Sequence, residues 1–184
     1  MTHYQTIFVK GMRKLLNEKS KNFIEKVADN MQEQLEIENT KSYSIDDIIE
    51  FVKSMGCEVR FDSSINSYSV EEGKSVIQLA FHDNYSENKN DVLKVLFHEI
   101  WHFISDKISD DNVEKYYKLI QDASANYFSR AMILPANEFI MVVIDNTTSN
   151  GMCNIFSMAK FFNVSYMDII ARGNDLNLWN RKGE

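Results

Sequence analysis

The run VLFHEIWHFI, residues 95–104, decides how the chain is read. The protein has 184 residues and only four histidines, and two of them, His98 and His102, stand here four positions apart beside Glu99. On a helix, residues four apart share a face and lie about 6 Å from each other along the axis. Both imidazoles can therefore aim at one ion. Glu99 is rotated by about 100° from His98, so it flanks the ion, where it can hold a water and take its proton. This is the H-E-x-x-H pattern. Zinc suits it: imidazole ligands, tetrahedral geometry and a position open to water.

The same run also fits a plain amphipathic helix. Asp91, Lys94, His98, His102, Ser105 and Asp106 make one polar side, and Leu93, Leu96, Phe97, Ile100, Phe103 and Ile104 make the apolar side. Such a pentapeptide arises by chance in roughly one chain of this size per hundred. The metal reading therefore needs a third ligand from a neighbouring element. QDASANYFSRAMILP (121–135) supplies a candidate. Asp122 and Asn126 are again four apart and share a helix face. Asp122 can be the third ligand, and Asn126 can hydrogen-bond a ligating imidazole and fix its orientation. Taken singly, each also reads as an ordinary polar residue on a solvated helix.

Outward from this pair, the pattern gives helices on both sides of a small β region. Apolar residues recur at helical spacing over 5–36, and the mixed charges between them read as a solvated face. Ser44 caps a helix that Gly56 ends. CEVRF (57–61) is β-prone, and SYSV (67–70), EEGK (71–74) and SVIQLAF (75–81) read as a hairpin. The polar segment 83–90 reads as a loop. Helices are expected over about 91–107, from Asp111 or Asn112 to Pro135, and over about 136–145, 152–162 and 166–172. Helices, a small sheet, then helices make an α+β chain. Three regions are expected to form one compact unit: an N-terminal helical region (1–56), a catalytic region (57–149) and a C-terminal helix-turn-helix-like element (150–184).

Composition bounds the function. Apolar residues are 44% and charged residues 26% of the chain, a globular balance rather than a disordered one. A net charge of −7 argues against broad binding to nucleic acid, so the helix-turn-helix-like stretch AKFFNVSYMDII (159–170) reads as packing or partner recognition. Cys57 and Cys153 have no CxxC partner and read as small apolar residues of a reducing compartment. No stretch approaches the ~20 apolar residues of a membrane span. The expectation is a cytoplasmic protein without membrane contact.

HEIWH followed by DASANYFSRAMILP resembles the ImmA/IrrE family of metallopeptidases, whose usual pattern is H-E-x-x-H and then E-x-x-A-[N/D]-x-F-A-x-x-L-L-M-P. The matching positions are His98, Glu99, His102, Ala125, Asn126, Phe128, Ile133, Leu134 and Pro135. Ala159, Phe162, Val164, Ser165 and Arg172 resemble the family's C-terminal element. The likeness spans about 75–172. It implies a mainly helical zincin-like metallopeptidase domain, with a small antiparallel sheet packed on the H-E-x-x-H helix. It also implies a Zn2+ site made by His98, His102 and Asp122, with another divalent metal such as iron or manganese as the alternative. The implied activity is a zinc-dependent endopeptidase that cleaves a helix-turn-helix transcriptional repressor or similar regulator, as family members do for mobile elements or stress responses. Glu99 is then the general base. Oxyanion donors are sought among Tyr116, Tyr117, Tyr127 and His82, and the strand SVIQLAF is either an open edge for substrate or an internal strand.

Three residues depart from the family pattern. Asp122 stands where Glu is usual, with about 1.5 Å less reach, so the two helices must approach more closely or the site weakens. Glu114 and Glu138 are substitute acids. Trp101 replaces a usual Gly and reads as core, and Ser129 replaces a usual Ala. A weakened site would make the chain a catalytically inactive relative that binds a protein partner, the alternative function.

Overall fold

The computed structural model describes residues 16–36, 44–63, 65–80, 89–108 and 116–179. Helix α1 (Glu18–Gln34) starts at Asn17, whose side chain accepts from the Ser20 N–H. Helix α2 (Ile45–Ser54) starts at Ser44, which accepts from the Asp47 N–H. Its end is Gly56, at a φ of +87° that side-chain-bearing residues rarely adopt. Three strands follow: β1 (Cys57–Ser63), β2 (Ser67–Glu71) and β3 (Lys74–Ala80). Then come α3 (Lys89–Ile108), α4 (Tyr116–Ile133), α5 (Ala136–Asp145), α6 (Ile155–Phe162) and α7 (Tyr166–Asp175). The α+β class stands. The expected helical starts before Glu18 and at Asp111 or Asn112, and the expected 83–90 loop, lie outside the described residues save for Lys89 and Asn90, which already belong to α3.

The sheet is mixed, not antiparallel as expected. Its order is β1-β3-β2, with β2 antiparallel to β3 and β1 parallel to it. The hairpin is as read: Glu71 pairs with Lys74 across Glu72 and Gly73, both at positive φ, the turn that suits the twist of a two-residue hairpin. The direction of β1 follows from reach. Only three residues, 64–66, separate β1 from β2, yet they cross over β3, a gap of about 9.6 Å. So short a link joins strand ends on the same side of the sheet. β1 is thus antiparallel to β2, and hence parallel to β3. β3 takes the centre because it is the most apolar strand, with Ser75, Val76, Ile77, Leu79 and Ala80 all buried.

Helix α3 is the spine of the core. Leu93, Leu96, Phe97 and Ile100 are fully buried, and Phe103 nearly so, on the side the sequence assigns as apolar. Each such side chain contributes about 1.5–3 kcal/mol on burial. One continuous core joins them to Ile24 and Ala28 of α1, Ile48 and Val52 of α2, Ile77 of β3, Phe128 of α4, Phe139 of α5 and Ile169 of α7. Polar ties fix the outer helices. Asn90 donates to the Phe162 carbonyl, and Gln32 to the carbonyls of Ala131 and Met132. Lys94 pairs with Asp168, which is itself held by Ser165 at the start of α7.

The most buried polar group is the Arg172 guanidinium, 0% exposed. Its Nε donates to the Leu134 carbonyl at 2.8 Å, and its two terminal nitrogens grip the Glu25 carboxylate. Tyr127 donates its hydroxyl to the same carboxylate at 2.7 Å. Three helices, α1, α4 and α7, thus meet on one ion pair. Among the described residues no single helix is long and apolar enough to cross a membrane. Cys57 is buried with its thiol pushed up to about 11 by that burial, and Cys153 is half-buried; neither forms a disulfide.

Candidate metal centre

Helices α3 and α4 pack through aromatic rings: Phe97 meets Phe128 edge-on at 6.4 Å, and Trp101 lies 5.1 Å from the same ring. Beside these contacts α4 carries small buried residues, Ala123, Ser124 and Ala125. Small residues let two helix axes come close. That proximity answers the short reach of Asp122.

His98 Nε2 lies 3.2 Å from His102 Nε2, and His102 Nε2 lies 3.6 Å from Asp122 Oδ1. One donor atom from each of the three side chains falls within 4.8 Å of the others. A tetrahedral ion with ligands at ~2.0–2.1 Å requires donors ~3.3–3.4 Å apart. The His98–His102 and His102–Asp122 separations lie on either side of that value, and all three donor atoms lie within 4.8 Å of one another. Two imidazoles and one carboxylate beside a cleft are a donor set that could hold a divalent metal ion.

The surroundings tune these groups. Burial pulls the His98 imidazole below its ordinary pKa, against the opposing pull of Asp122 and of a side-chain hydrogen bond from His98 to Asn126. The ring is thereby biased toward the neutral form that ligates metals. Asn126 also donates its amide to the Asp122 backbone carbonyl at 2.8 Å. It touches both helices of the site, the orienting part the sequence suggested for it. Glu99 is only 7% exposed. Burial and the nearby Asp122 charge push its carboxyl up to about 7, with the Tyr68 backbone N–H pulling the other way.

That last contact shows which strand edge meets the site. In a two-residue hairpin the closing pair, Glu71 and Lys74, exchanges hydrogen bonds, and successive pairs then alternate. Tyr68, opposite Ile77, therefore points its N–H and C=O away from β3. It aims them at the cleft and at Glu99. Among the described residues, β2 is the sheet edge beside the candidate metal site. The strand read as a possible open edge, 75–81, is central, with β1 and β2 covering its two sides.

The cleft holds about 520 Å³ and is walled by Asn66 just before β2, by Ser67 and Tyr68 of β2, by His98, Glu99, His102 and Asp106 of α3, and by Gln121 and Asp122 of α4. Tyr68 spans it: its ring sits 6.1 Å from Phe103, and its hydroxyl donates to Asp106 Oδ2 at 2.7 Å. Sequence reading missed Tyr68 and Gln121 as parts of this wall. Asp106 was visible at four residues past His102, on the same helical stripe, but nothing in the local pattern brings β2 to α3.

The other expectations sort clearly. Tyr127 is no oxyanion donor, because its hydroxyl is buried on Glu25. His82 and Glu114 lie outside the described residues, as do the side chains of Tyr116 and Tyr117. Glu138, on α5, is not part of the ligand group. Trp101 is 5% exposed and belongs to the core, as read, and its buried indole N–H has no hydrogen-bond partner among the described residues. Ser129 is buried and donates to the Asn126 carbonyl. No family model matches the chain, and no curated protein matches it significantly.

Proposed function

We propose that the chain is a metal-dependent endopeptidase of the zincin type, related to the ImmA/IrrE metallopeptidases. The observation that carries this reading is the convergence of His98, His102 and Asp122, from two helices, with their donor atoms within 4.8 Å of one another. Zinc is the proposed ion. When bound, it supplies a Lewis acid for the scissile carbonyl and an acidified water. Glu99, beside the ligands but not among them, takes the proton of the attacking water and delivers it to the leaving amine. The outward Tyr68 C=O and Val70 N–H and C=O of β2 pair with an extended peptide and align it across the ligands, while the Tyr68 N–H stays on Glu99. Asn126 holds the His98 ring in its ligating orientation.

The rival reading, an inactive binding partner, was motivated by the short side chain of Asp122. The 3.6 Å separation of His102 Nε2 and Asp122 Oδ1 speaks against that motive. For the substrate, the motif resemblance supports a helix-turn-helix repressor. The test is incubation of the zinc-loaded protein with any helix-turn-helix protein encoded beside it, with and without chelator. Cleavage that chelator and Glu99→Gln both abolish is expected. A neighbour left intact under every metal condition removes repressor cleavage.

A further inference from the structure

We infer that two copies of the chain pair through an apolar face built by α5, the turn after it, and the helix-turn-helix-like pair α6 and α7. Of the fifteen large apolar side chains exposed among the described residues, eight fall within 140–167. On α5, Phe139 and Val142 are buried, yet Ile140, Met141 and Ile144 line the opposite, exposed side. These three are spaced by three and four residues and so share a face. A helix that is apolar all round is ordinarily covered all round. The chain then doubles back. Thr147 bridges to Cys153, and the Asn154 N–H donates to the Asn146 carbonyl at 2.9 Å. That turn exposes Met152 and sets the start of α6 beside the end of α5. Phe156, 74% exposed, follows within two residues; its ring lies 5.8 Å from Tyr166 at the start of α7, with exposed Met167 next in the chain.

Composition and area both suit a protein partner. Residues 136–167 hold three charged side chains, Glu138, Asp145 and Lys160, where the chain's 26% would place about eight; interface cores are likewise poor in charge and rich in Met and aromatic residues. The seven exposed side chains named above are each 36–74% exposed, so at about 150–250 Å² for a large side chain they leave roughly 600–950 Å² uncovered. The largest patch on an ordinary monomer is about 300–600 Å², and one side of a standard interface is about 800 Å². The charges select a second copy as the occupant. A two-fold contact is self-complementary: where residue i meets j, j also meets i. Asp145, next to Ile144, and Lys160, one turn beyond Phe156, are exposed and opposite in sign. Lys160 of one copy meets Asp145 of the other, and symmetry makes the contact twice. A face that lies on a membrane is instead fringed by several lysines or arginines, and within 136–167 Lys160 is the one base.

Sedimentation equilibrium of the full chain tests this. The expected result is a dimer that dissociates only below roughly micromolar concentration. Phe156→Asp weakens it by roughly a hundredfold or more, since symmetry counts the loss twice, and an unchanged urea midpoint shows the fold intact. Met141→Asp, on a different helix, does the same and serves where Phe156→Asp disturbs folding. Lys160→Glu weakens the dimer roughly tenfold, and adding Asp145→Lys to the same chain restores it. A chain that stays monomeric up to ~1 mM overturns the proposal, including one whose face is taken instead by phosphatidylcholine–phosphatidylglycerol vesicles or by another protein. So does a dimer that Phe156→Asp and Met141→Asp leave intact, or a double charge variant that dimerises no more tightly than Lys160→Glu alone.

Discussion

Replacing Glu25 by alanine strips the Arg172 guanidinium of its counter-charge. Arg172 is fully buried, and its remaining protein acceptor is the Leu134 carbonyl. Breaking a buried pair from one side costs about 3–5 kcal/mol, because the stranded charge keeps its desolvation penalty. Tyr127 loses its acceptor in the same step. Against a total stability of roughly 5–15 kcal/mol, this is a large share. For a chain of this length it corresponds to a fall in Tm of about 6–20 °C. Urea denaturation of the chelator-treated protein measures it. The double variant Glu25→Ala/Arg172→Met removes the buried charge as well and recovers at least ~1 kcal/mol over the single variant, less whatever the orphaned Leu134 carbonyl takes back. Acid adds a second check. Burial raises the Glu25 pKa, but the Arg172 charge and hydrogen bonds outweigh it and hold the group below its ordinary value. For a depressed carboxylate, the stabilisation is fully present above the unfolded pKa and is lost as pH falls through the folded one. The gap between parent and Glu25→Ala should thus be constant above about pH 5 and narrow below it. A loss under 1 kcal/mol, or a double variant no more stable than the single, refutes the claim that this pair anchors α1 to the rest of the fold.

If the proposed zinc site is right, His98→Ala or Asp122→Ala weakens zinc binding by more than the ten- to hundredfold typical of an outer hydrogen-bond partner, read by competition with a chromophoric chelator. Asn126→Ala falls within that ten- to hundredfold range. Asp122→Glu binds zinc less well than the parent, because the carboxylate already sits 3.6 Å from His102 and one more methylene must fold aside; tighter binding shows that the aspartate is the compromise. Glu99→Gln keeps its zinc by the same assay and loses hydrolysis by about 10²–10⁴-fold; loss of zinc in this variant would make Glu99 a ligand instead. Trp101→Ala empties a core position against Phe128 and costs about 3–5 kcal/mol in urea denaturation.

The parts legible in the sequence are those that repeat within a few residues. The apolar stripe of α3, the Ser44 and Ser165 caps, the Gly56 stop and the Glu72–Gly73 turn all follow from local chemistry, and the structure has each. His98, His102 and Asp122 were readable as a set because two i, i+4 pairs on neighbouring helices can meet. The order of the strands was not. It depends on which side of β3 the three-residue link carries the chain to, and a hairpin pattern carries no sign of that. The same ordering hid Tyr68, a residue of an ordinary-looking strand that becomes part of the cleft only once β2 lies at the edge above α3. Glu25 gave no local signal at all: it sits 147 positions from the arginine it holds.

A sheet edge left open is a hazard as well as an opportunity, since it can template pairing with any stray strand and seed aggregates. Here that edge is five residues long, and the N–H of Tyr68, its second residue, already faces the Glu99 carboxylate. A second copy of the sheet approaching side-on finds the Tyr68 N–H already given to that carboxylate, so its own carbonyl has no donor there. The bond that holds Glu99 in place therefore also works against edge-to-edge pairing.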